Sequence, residues 1–456
     1  HAHTHAHPHP EKAEQDEQEV RDRELYPGLK NDKVYEVEAE GPVSVGFGEA
    51  SILPDFPMVM SYGSNEPTKE FYDTAKVKVM LFEVDGEQIA LLEYDVIGIQ
   101  NEQAEWFKDT ISQATGLKKR QIIISATHNH SYGRTHKERV YQLMAKRGIK
   151  ATQKAINSRF PAQVGFGKRK IPADLNLNRA ELNGLANPLL YVIKVTDTTG
   201  HLRGVHYNYG SHPTVFTEWG SSRGKVGPNW PGYVNHYVQY RKRLDLLFER
   251  YSRKNGIDTK PFVMFSEGSA GDQQPTRTHV FVDGQRQPAN KVFMEKLSRQ
   301  VIDLLEDTET QRNTDLHFKA KTHEMRIKNG DLYTTLLQTL VINNTALATV
   351  PGELNVELGY KFEKHSPYDK NILITNSDDY VGYIVREKLA LESVTYQSKG
   401  VPFDPFFGER MINEAVGMIN PDYEGGKPAD PEKIYGKISG QVDYDGKNKI
   451  DNYKGS

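Results

Sequence analysis

The sequence predicts an α/β protein with mixed α+β character, a large single domain in which mixed sheets are flanked by helices. The first observation is a strand–helix–strand order, in which a helical pattern over Glu102–Thr115 separates two apolar, β-branched runs. The second is a pair of hairpin turns, Asp85-Gly86 and Asp197–Gly200, each between two apolar runs. The third is length, because 456 residues that are 37% hydrophobic can form a large core.

The elements follow from periodicity, taken in chain order. Strands are predicted over Thr74–Val84 and Gln88–Ile99, then the helix Glu102–Thr115 with Gly116 as its stop, then a strand that runs into His128. Further on, the patterns predict a helix over Lys137–Phe160, strands over Leu189–Thr196 and Leu202–Tyr209, a helix over Tyr233–Arg253, a strand over Pro261–Phe265, a helix over Asn290–Glu306, strands over Leu316–Arg326, Leu337–Asn343 and Ala346–Val350, and a helix over Asn355–Lys364.

Composition limits the classes of partner. The net charge is −3 and the charges are interspersed, so no basic stripe indicates nucleic acid, and no long apolar segment indicates a membrane span. The absence of cysteine excludes thiol nucleophiles and thiolate metal ligands. We expect a small-molecule or oligosaccharide substrate. We also expect a periplasmic or secreted location in a bacterium, although the composition fits a cytosolic protein as well.

The two ends of the chain differ from the middle. Residues 1–24 are polar, and the segment His1–Pro10 nearly alternates histidine, which is typical of an expression tag or of a natural zinc-collecting N-terminus. The globular domain is predicted over 43–424. Residues 425–456, rich in Gly, Lys and Asp, are predicted to form a C-terminal extension.

The pair His128-x-His130 carries the most chemical information. It follows the strand Gln121–Thr127, and in an extended chain positions i and i+2 point to the same side. Two imidazoles that face the same way at a strand end form half of a zinc site. A lone His-x-His often occurs by chance in proteins that bind no metal. A metal site therefore requires further ligands elsewhere in the chain.

Two more strand-end turns offer such ligands. His212 lies in Tyr209–Thr214, and Glu353 closes Val350–Glu353; both segments follow strand-like runs. Two neutral imidazoles and one carboxylate are the ligand set of a catalytic zinc with an open position. The alternatives are histidines held in the core by backbone hydrogen bonds and a glutamate that stabilises a helix N-terminus.

Taken in order, six short blocks resemble the neutral (alkaline, non-lysosomal) ceramidase family, whose members are zinc-dependent amidases that hydrolyse the N-acyl bond of ceramide. The resemblance extends from about Val45 to about Gln397. The blocks are Ser125–Ser131, Leu177–Arg179, Tyr209–Thr214, Gly271–Pro275, Val350–Glu353 and Asn376–Tyr383. The resemblance implies that 43–424 is a catalytic domain of this type.

The resemblance also implies a set of zinc ligands. His128 and His212 would be the imidazole ligands, Glu353 the carboxylate ligand, and Tyr383 a further ligand of the phenolate type.

The catalytic residues implied by the resemblance surround these ligands. His130 and Arg179 would line the site and contact the substrate carbonyl, and Tyr383 would also act in catalysis. Tyr396 lies near a family tyrosine that faces the metal, with a spacing that differs by one residue.

Two departures from the family pattern bear on the substrate and the mechanism. Gln274 stands where the family has a serine, which favours a zinc-bound water over a serine nucleophile. The resemblance also implies an immunoglobulin-like C-terminal domain in the lipid-acting members, and we expect this chain to lack it. The motif loops contain arginines that suit an acidic or polar sugar: Arg179, Arg223, Arg277 and Arg386.

We therefore expect a zinc-dependent hydrolase of an N-acyl or related bond in a polar, glycan-like substrate. Three alternatives stay open: a metal-assisted polysaccharide lyase acting on acidic sugars, a ceramidase, and a non-catalytic binding module on the same fold.

Overall fold

The computed structural model describes residues 25–29, 33–172, 175–181, 184–215, 224–240, 260–275, 279–282, 285–327, 331–392 and 402–425. Some sequence predictions fall outside these residues: the leader 1–24, all but the first residue of the extension 425–456, the second half of the helix predicted over Tyr233–Arg253, Arg223, Arg277 and Tyr396.

Runs of consecutive strands are separated by helices along the described chain. The strands are β1 Val34–Ser51, β2 Lys76–Val84, β3 Glu87–Tyr94, β4 Ile122–Ala126, β5 Phe160–Lys170, β6 Asn176–Asn178, β7 Leu189–Asp197, β8 Leu202–Tyr209, β9 Phe262–Glu267, β10 Gln273–Pro275, β11 His279–Val282, β12 Gln285–Pro288, β13 Asn313–Arg326, β14 Leu332–Ile342, β15 Thr345–Thr349, β16 Glu353–Leu354, β17 Lys370–Ile374 and β18 Tyr383–Ile384. The helices are α1 Asn101–Thr115, α2 Glu138–Asn157, α3 Asn229–Tyr240, α4 Ala289–Glu306, α5 Val356–His365, α6 Glu387–Glu392 and α7 Phe407–Ile419.

One mixed sheet organises the described residues. Its order is β17-β15-β14-β13-β1-β5-β7-β8-β9, and β2, β3 and β4 branch from β1. The branch arises because β1 is 18 residues long. Its first half pairs with β13 and its second half with β2, so one strand joins two groups of strands. Helices cover both groups, which confirms the predicted α/β class.

Several predicted local features are confirmed. Asp85 and Gly86 have φ of 48° and 77°, as the two-residue turn between β2 and β3 requires. The strand–helix–strand unit has β3 and β4 parallel, with α1 between them in the chain. Gly116 ends α1 in the left-handed region with φ of 82°. The hairpin of β7 and β8 surrounds the predicted turn at Asp197–Gly200.

Other boundaries differ from the sequence prediction. The helix predicted over Lys137–Phe160 ends at Asn157. Phe160 instead begins strand β5, although the spacing of apolar residues up to Phe160 fits a helix. The globular pattern expected from Val43 begins at Val34, because the first half of β1, which alternates exposed and buried residues, pairs with β13. Among the described residues, no helix is both long and apolar enough to cross a bilayer.

The carboxyl ends of the parallel strand pairs meet at one place. The pairs are β3 with β4, β8 with β9, and β15 with β17. Backbone hydrogen bonds join their ends, from Ala126 N to Asn376 O (3.0 Å) and from Thr375 N to Glu267 O (3.0 Å). In open α/β sheets the carboxyl ends of strands are where ligands bind.

Candidate metal centre

His128 stands two residues beyond the end of β4. Its backbone lies in the left-handed region, with φ of 67°, and its side chain is buried. The ring Nδ1 lies 2.8 Å from the backbone oxygen of Ile97. Because a carbonyl can only accept, Nδ1 carries the proton, and the Nε2 lone pair faces the interior of the site.

His212 follows the end of β8 and is held in the same way. Its Nδ1 donates to the backbone oxygen of Gln273 at 2.8 Å, and Trp230 Nε1 donates to its backbone oxygen at 3.0 Å. Burial, reinforced by the guanidinium of Arg179, lowers the pKa of His212 to about 3. The ring is therefore neutral near pH 7, with its Nε2 available as a ligand atom.

Glu353 places its carboxylate against both imidazoles. It begins β16, which pairs in parallel with β18 at Tyr383. Its Oε1 lies 2.8 Å from Nε2 of His128 and 3.0 Å from Nε2 of His212. The hydroxyl of Tyr380 donates to Oε2 at 2.8 Å.

The donor set fits a divalent metal. Both imidazoles hold their proton on Nδ1, so two nitrogen lone pairs converge on a carboxylate oxygen. Lone pairs facing each other without a proton between them repel, and a cation at their centre removes that repulsion. Two neutral imidazoles with one carboxylate form the donor set of zinc sites that keep an open position.

A third imidazole adjoins the two. His130 Nε2 lies 3.3 Å from Nε2 of His128, and the ligand nitrogens of His128, His130 and His212 all lie within 4.8 Å of one another. Burial first, and the neighbouring imidazoles second, lower the pKa of His130 well below its usual value. The ring of Tyr62 stacks on His130 with a centroid distance of 4.2 Å and an interplanar angle of 7°.

Arg179 brings a positive charge to the same place. It follows β6, and its backbone N–H bonds to the oxygen of Asp272 at 2.9 Å. Its Nη2 lies 2.7 Å from Nε2 of His212 and donates to the hydroxyl of Tyr383 at 2.9 Å. The structure therefore places Tyr383 at Arg179, one contact away from the imidazoles.

The structure brings together six of the predicted site residues and adds two that the sequence did not indicate. The six are His128, His130, Arg179, His212, Glu353 and Tyr383. Tyr396 lies outside the described residues. The added residues are Tyr380 and Tyr62. Tyr380 stands three residues before Tyr383 in the same block, whereas the loop that carries Tyr62 has no periodic pattern.

Comparison with known proteins gives structural likeness without sequence likeness. No protein-family model matches the sequence, and no curated protein matches it. The solved neutral ceramidase from Pseudomonas aeruginosa superimposes with a TM-score of 0.65 at 12% identity, covering 86% of this chain and 77% of that one. A ceramidase complexed with C2 gives the same TM-score of 0.65 and the same coverage, at 11% identity. Over most of its length, this chain has the fold of the neutral ceramidases, as the six blocks predicted.

Proposed function

We propose that this protein is a metal-dependent hydrolase that cleaves the N-acyl bond of an amide with an activated water. The observation that carries the proposal is the convergence of the Nε2 atoms of His128 and His212 on Oε1 of Glu353. The fold shared with solved ceramidases supports the amide class of substrate.

The metal would be held by His128, His212 and Glu353, with His130 near enough to join or adjoin them. We propose zinc, because imidazole and carboxylate donors without thiolates suit it and it needs no redox chemistry. When bound, such an ion supplies an activated water and a Lewis acid for an acyl oxygen. Tyr383 remains a candidate further ligand, although its hydroxyl lies on Arg179.

Arg179 is the group proposed to bind the substrate carbonyl. Its Nη2 lies 2.7 Å from the ring of His212, so a carbonyl oxygen that approaches the cluster meets a cationic donor. The residue is buried, and a donor that is fixed before reaction stabilises a developing oxyanion more than a mobile one.

His130 is the group proposed to move the proton. Its lowered pKa leaves the imidazole neutral near pH 7, so it accepts a proton as water adds to the carbonyl carbon. The C–N bond then breaks, and the same proton passes to the leaving nitrogen. The stacked ring of Tyr62 limits how far the imidazole can tilt during these steps.

The substrate is proposed to be polar, with an N-acylated sugar preferred over a long-chain lipid. Two polar residues of the motif blocks are buried in this region. Arg179 contacts His212, and Gln274 lies in strand β10, which pairs with β6. The solved ceramidases make short-chain ceramide the rival substrate.

The proposed function is tested by metal content and by turnover. The wild type and His212→Ala are purified in parallel; the histidine-rich segment 1–10 contributes equally to both, so the difference should be one metal per chain. Turnover is then measured on short N-acyl amides, N-acyl sugars, a fluorescent ceramide and uronic-acid oligosaccharides, with and without chelator.

The two measurements separate the outcomes. Equal metal content in the two proteins would contradict the metal centre. Chelator-sensitive release of amine is the expected result. A new ultraviolet-absorbing double bond from the oligosaccharides, without amine release, would instead identify a lyase.

A further inference from the structure

Gln274 is a buried polar side chain without an internal role. It lies in the short strand β10 and is completely shielded from solvent. Its amide nitrogen and its amide oxygen both lack a hydrogen-bond partner in the part of the chain that the structure describes. Buried polar groups in native proteins are nearly always paired, and each unpaired one reduces stability, so two on one side chain require an explanation.

The preceding residue shows that the strand is not loosely packed. Gln273 is equally buried, yet its Oε1 accepts from Asn187 N at 2.7 Å and its Nε2 donates to Leu185 O at 2.7 Å. Of these two neighbouring glutamines, one therefore has its amide paired and the other does not. The difference must come from the surroundings of the face of β10 on which Gln274 lies.

The register of β10 identifies that face. Gln274 pairs with Leu177 and Gln273 pairs with Asn178 in the antiparallel partner β6. Side chains alternate along a strand, so Gln274 and Leu177 share one face while Gln273 and Asn178 share the other. Arg179 comes directly after Asn178, and its guanidinium contacts His212 and Tyr383. The backbone oxygen of Gln273 accepts from Nδ1 of His212 at 2.8 Å, so β10 also runs beside the candidate metal centre.

We propose that Gln274 contacts the substrate and sets its specificity by binding a hydroxyl or amide group next to the scissile N-acyl bond. A carboxamide offers both a donor and an acceptor, so its best partner also offers both. The proposal rests on the proposed function and narrows its substrate class to N-acylated amino sugars. The ring of Tyr62, 38% exposed and stacked on His130, adds an aromatic surface of the kind that packs against the C–H face of a sugar.

The test compares one substrate with its hydroxyl-free analogue. Gln274→Met keeps the volume of the side chain and removes both polar atoms. The metal-loaded wild type and variant are assayed on N-acetylglucosamine and on N-acetylcyclohexylamine, which has a six-membered ring without hydroxyls. The wild type should prefer the sugar, and the variant should lose at least about tenfold of that preference in kcat/KM.

Thermal unfolding separates a functional role from a structural one. Gln274→Met should raise Tm by about 2 °C, because it removes unpaired groups that function retains. The matched control Gln273→Met should lower Tm, because its hydrogen bonds are lost. A Gln274→Met variant with a lowered Tm would show that the amide has an internal partner, and the proposal would be wrong.

A binding measurement separates failure of this proposal from failure of the proposed function. Calorimetry measures N-acetylglucosamine binding to the chelator-treated wild type and to Gln274→Met, and the variant should bind at least about tenfold more weakly. Sugar binding that depends on Gln274 without any turnover would support the contact and reject the hydrolase. A preference unchanged within twofold, binding unchanged within twofold, or turnover of short-chain ceramide alone would overturn the proposal.

Discussion

Tyr380 is predicted to control the metal affinity through Glu353. Its hydroxyl donates to Oε2 of Glu353 at 2.8 Å, while Oε1 faces the two imidazoles. Burial, with the nearby charge of Glu353, raises the pKa of Tyr380 well above its usual value, so the phenol keeps its proton and donates. The substitution Tyr380→Phe removes this hydrogen bond and keeps the ring.

The expected magnitude follows from the charge on the acceptor. A hydrogen bond to a charged group contributes about 1.5–3 kcal/mol. At about 1.4 kcal/mol for each tenfold change, its loss should weaken metal binding about 10- to 150-fold. Changes to groups that orient a metal ligand typically cost about 10- to 100-fold, which agrees.

The assay is competition for zinc between the protein and a coloured chelator of known affinity. Tyr383→Phe is the matched control, because it removes a phenol from the same turn whose hydroxyl lies on Arg179 instead. If Tyr383 is a direct ligand, as the sequence resemblance implies, its variant should lose at least as much affinity as Tyr380→Phe. A Kd for Tyr380→Phe within twofold of the wild type would refute the reasoning.

Three further predictions concern the groups around the centre. His130→Ala should lower turnover about a hundredfold while one metal per chain is retained; loss of that metal would make His130 a ligand. Lys108→Met should reduce the free energy of unfolding in urea by about 3–5 kcal/mol, because it leaves Asp378, its fully buried ion-pair partner, uncompensated; a change below about 1 kcal/mol would contradict this. Burial raises the pKa of Asp379 to about 7, so the folded state binds a proton that the unfolded state releases near pH 4. The resulting contribution to the free energy of unfolding is present at low pH and is lost as the pH rises towards 7, by at most about 1.4 kcal/mol per pH unit. Asp379→Asn should flatten this decline, which urea titrations at pH 5, 6 and 7.5 would measure. An unchanged slope would contradict the prediction.

Local features of the fold could be predicted because their causes are local. The Asp85-Gly86 turn needs positive φ at both positions, and the end of α1 needs a left-handed residue, which Gly116 supplies. The strand before His128 begins with consecutive β-branched isoleucines and is buried throughout. Each of these signals lies within a few residues of the structure that it specifies.

Long-range pairing could not be predicted in the same way. The first half of β1 alternates exposed and buried residues, and nothing within Val34–Ser51 indicates that β13, almost 300 residues away, is its partner. The contact of Tyr380 with Glu353 depends on the parallel pairing of β16 with β18, whose strands are two residues long. Strands this short carry no periodicity.

The His-x-His pair comes together for a reason other than strand alternation. Alternation along a strand predicted that His128 and His130 face the same way, but β4 ends at Ala126, and His128 adopts a φ of 67°. The two Nε2 atoms approach to 3.3 Å because the turn is left-handed and because His130 N bonds to Pro213 O at 3.2 Å. The pattern therefore identified the residues, and the tertiary structure supplies their geometry.

The left-handed backbone of His128 indicates that the centre is organised by the fold itself. A non-glycine residue in this region costs about 1–2 kcal/mol, and such residues persist only where the surroundings hold them. Here the ring hydrogen bond to Ile97 holds the imidazole, and the strand-end turn opposite, with Asn376 at φ of 54° and Asp378 at φ of 60°, is bonded to the same strand β4. Both turns are fixed by backbone hydrogen bonds, so the fold holds the nitrogen lone pairs in place against Glu353, and a site held in this way loses less ordering entropy on binding.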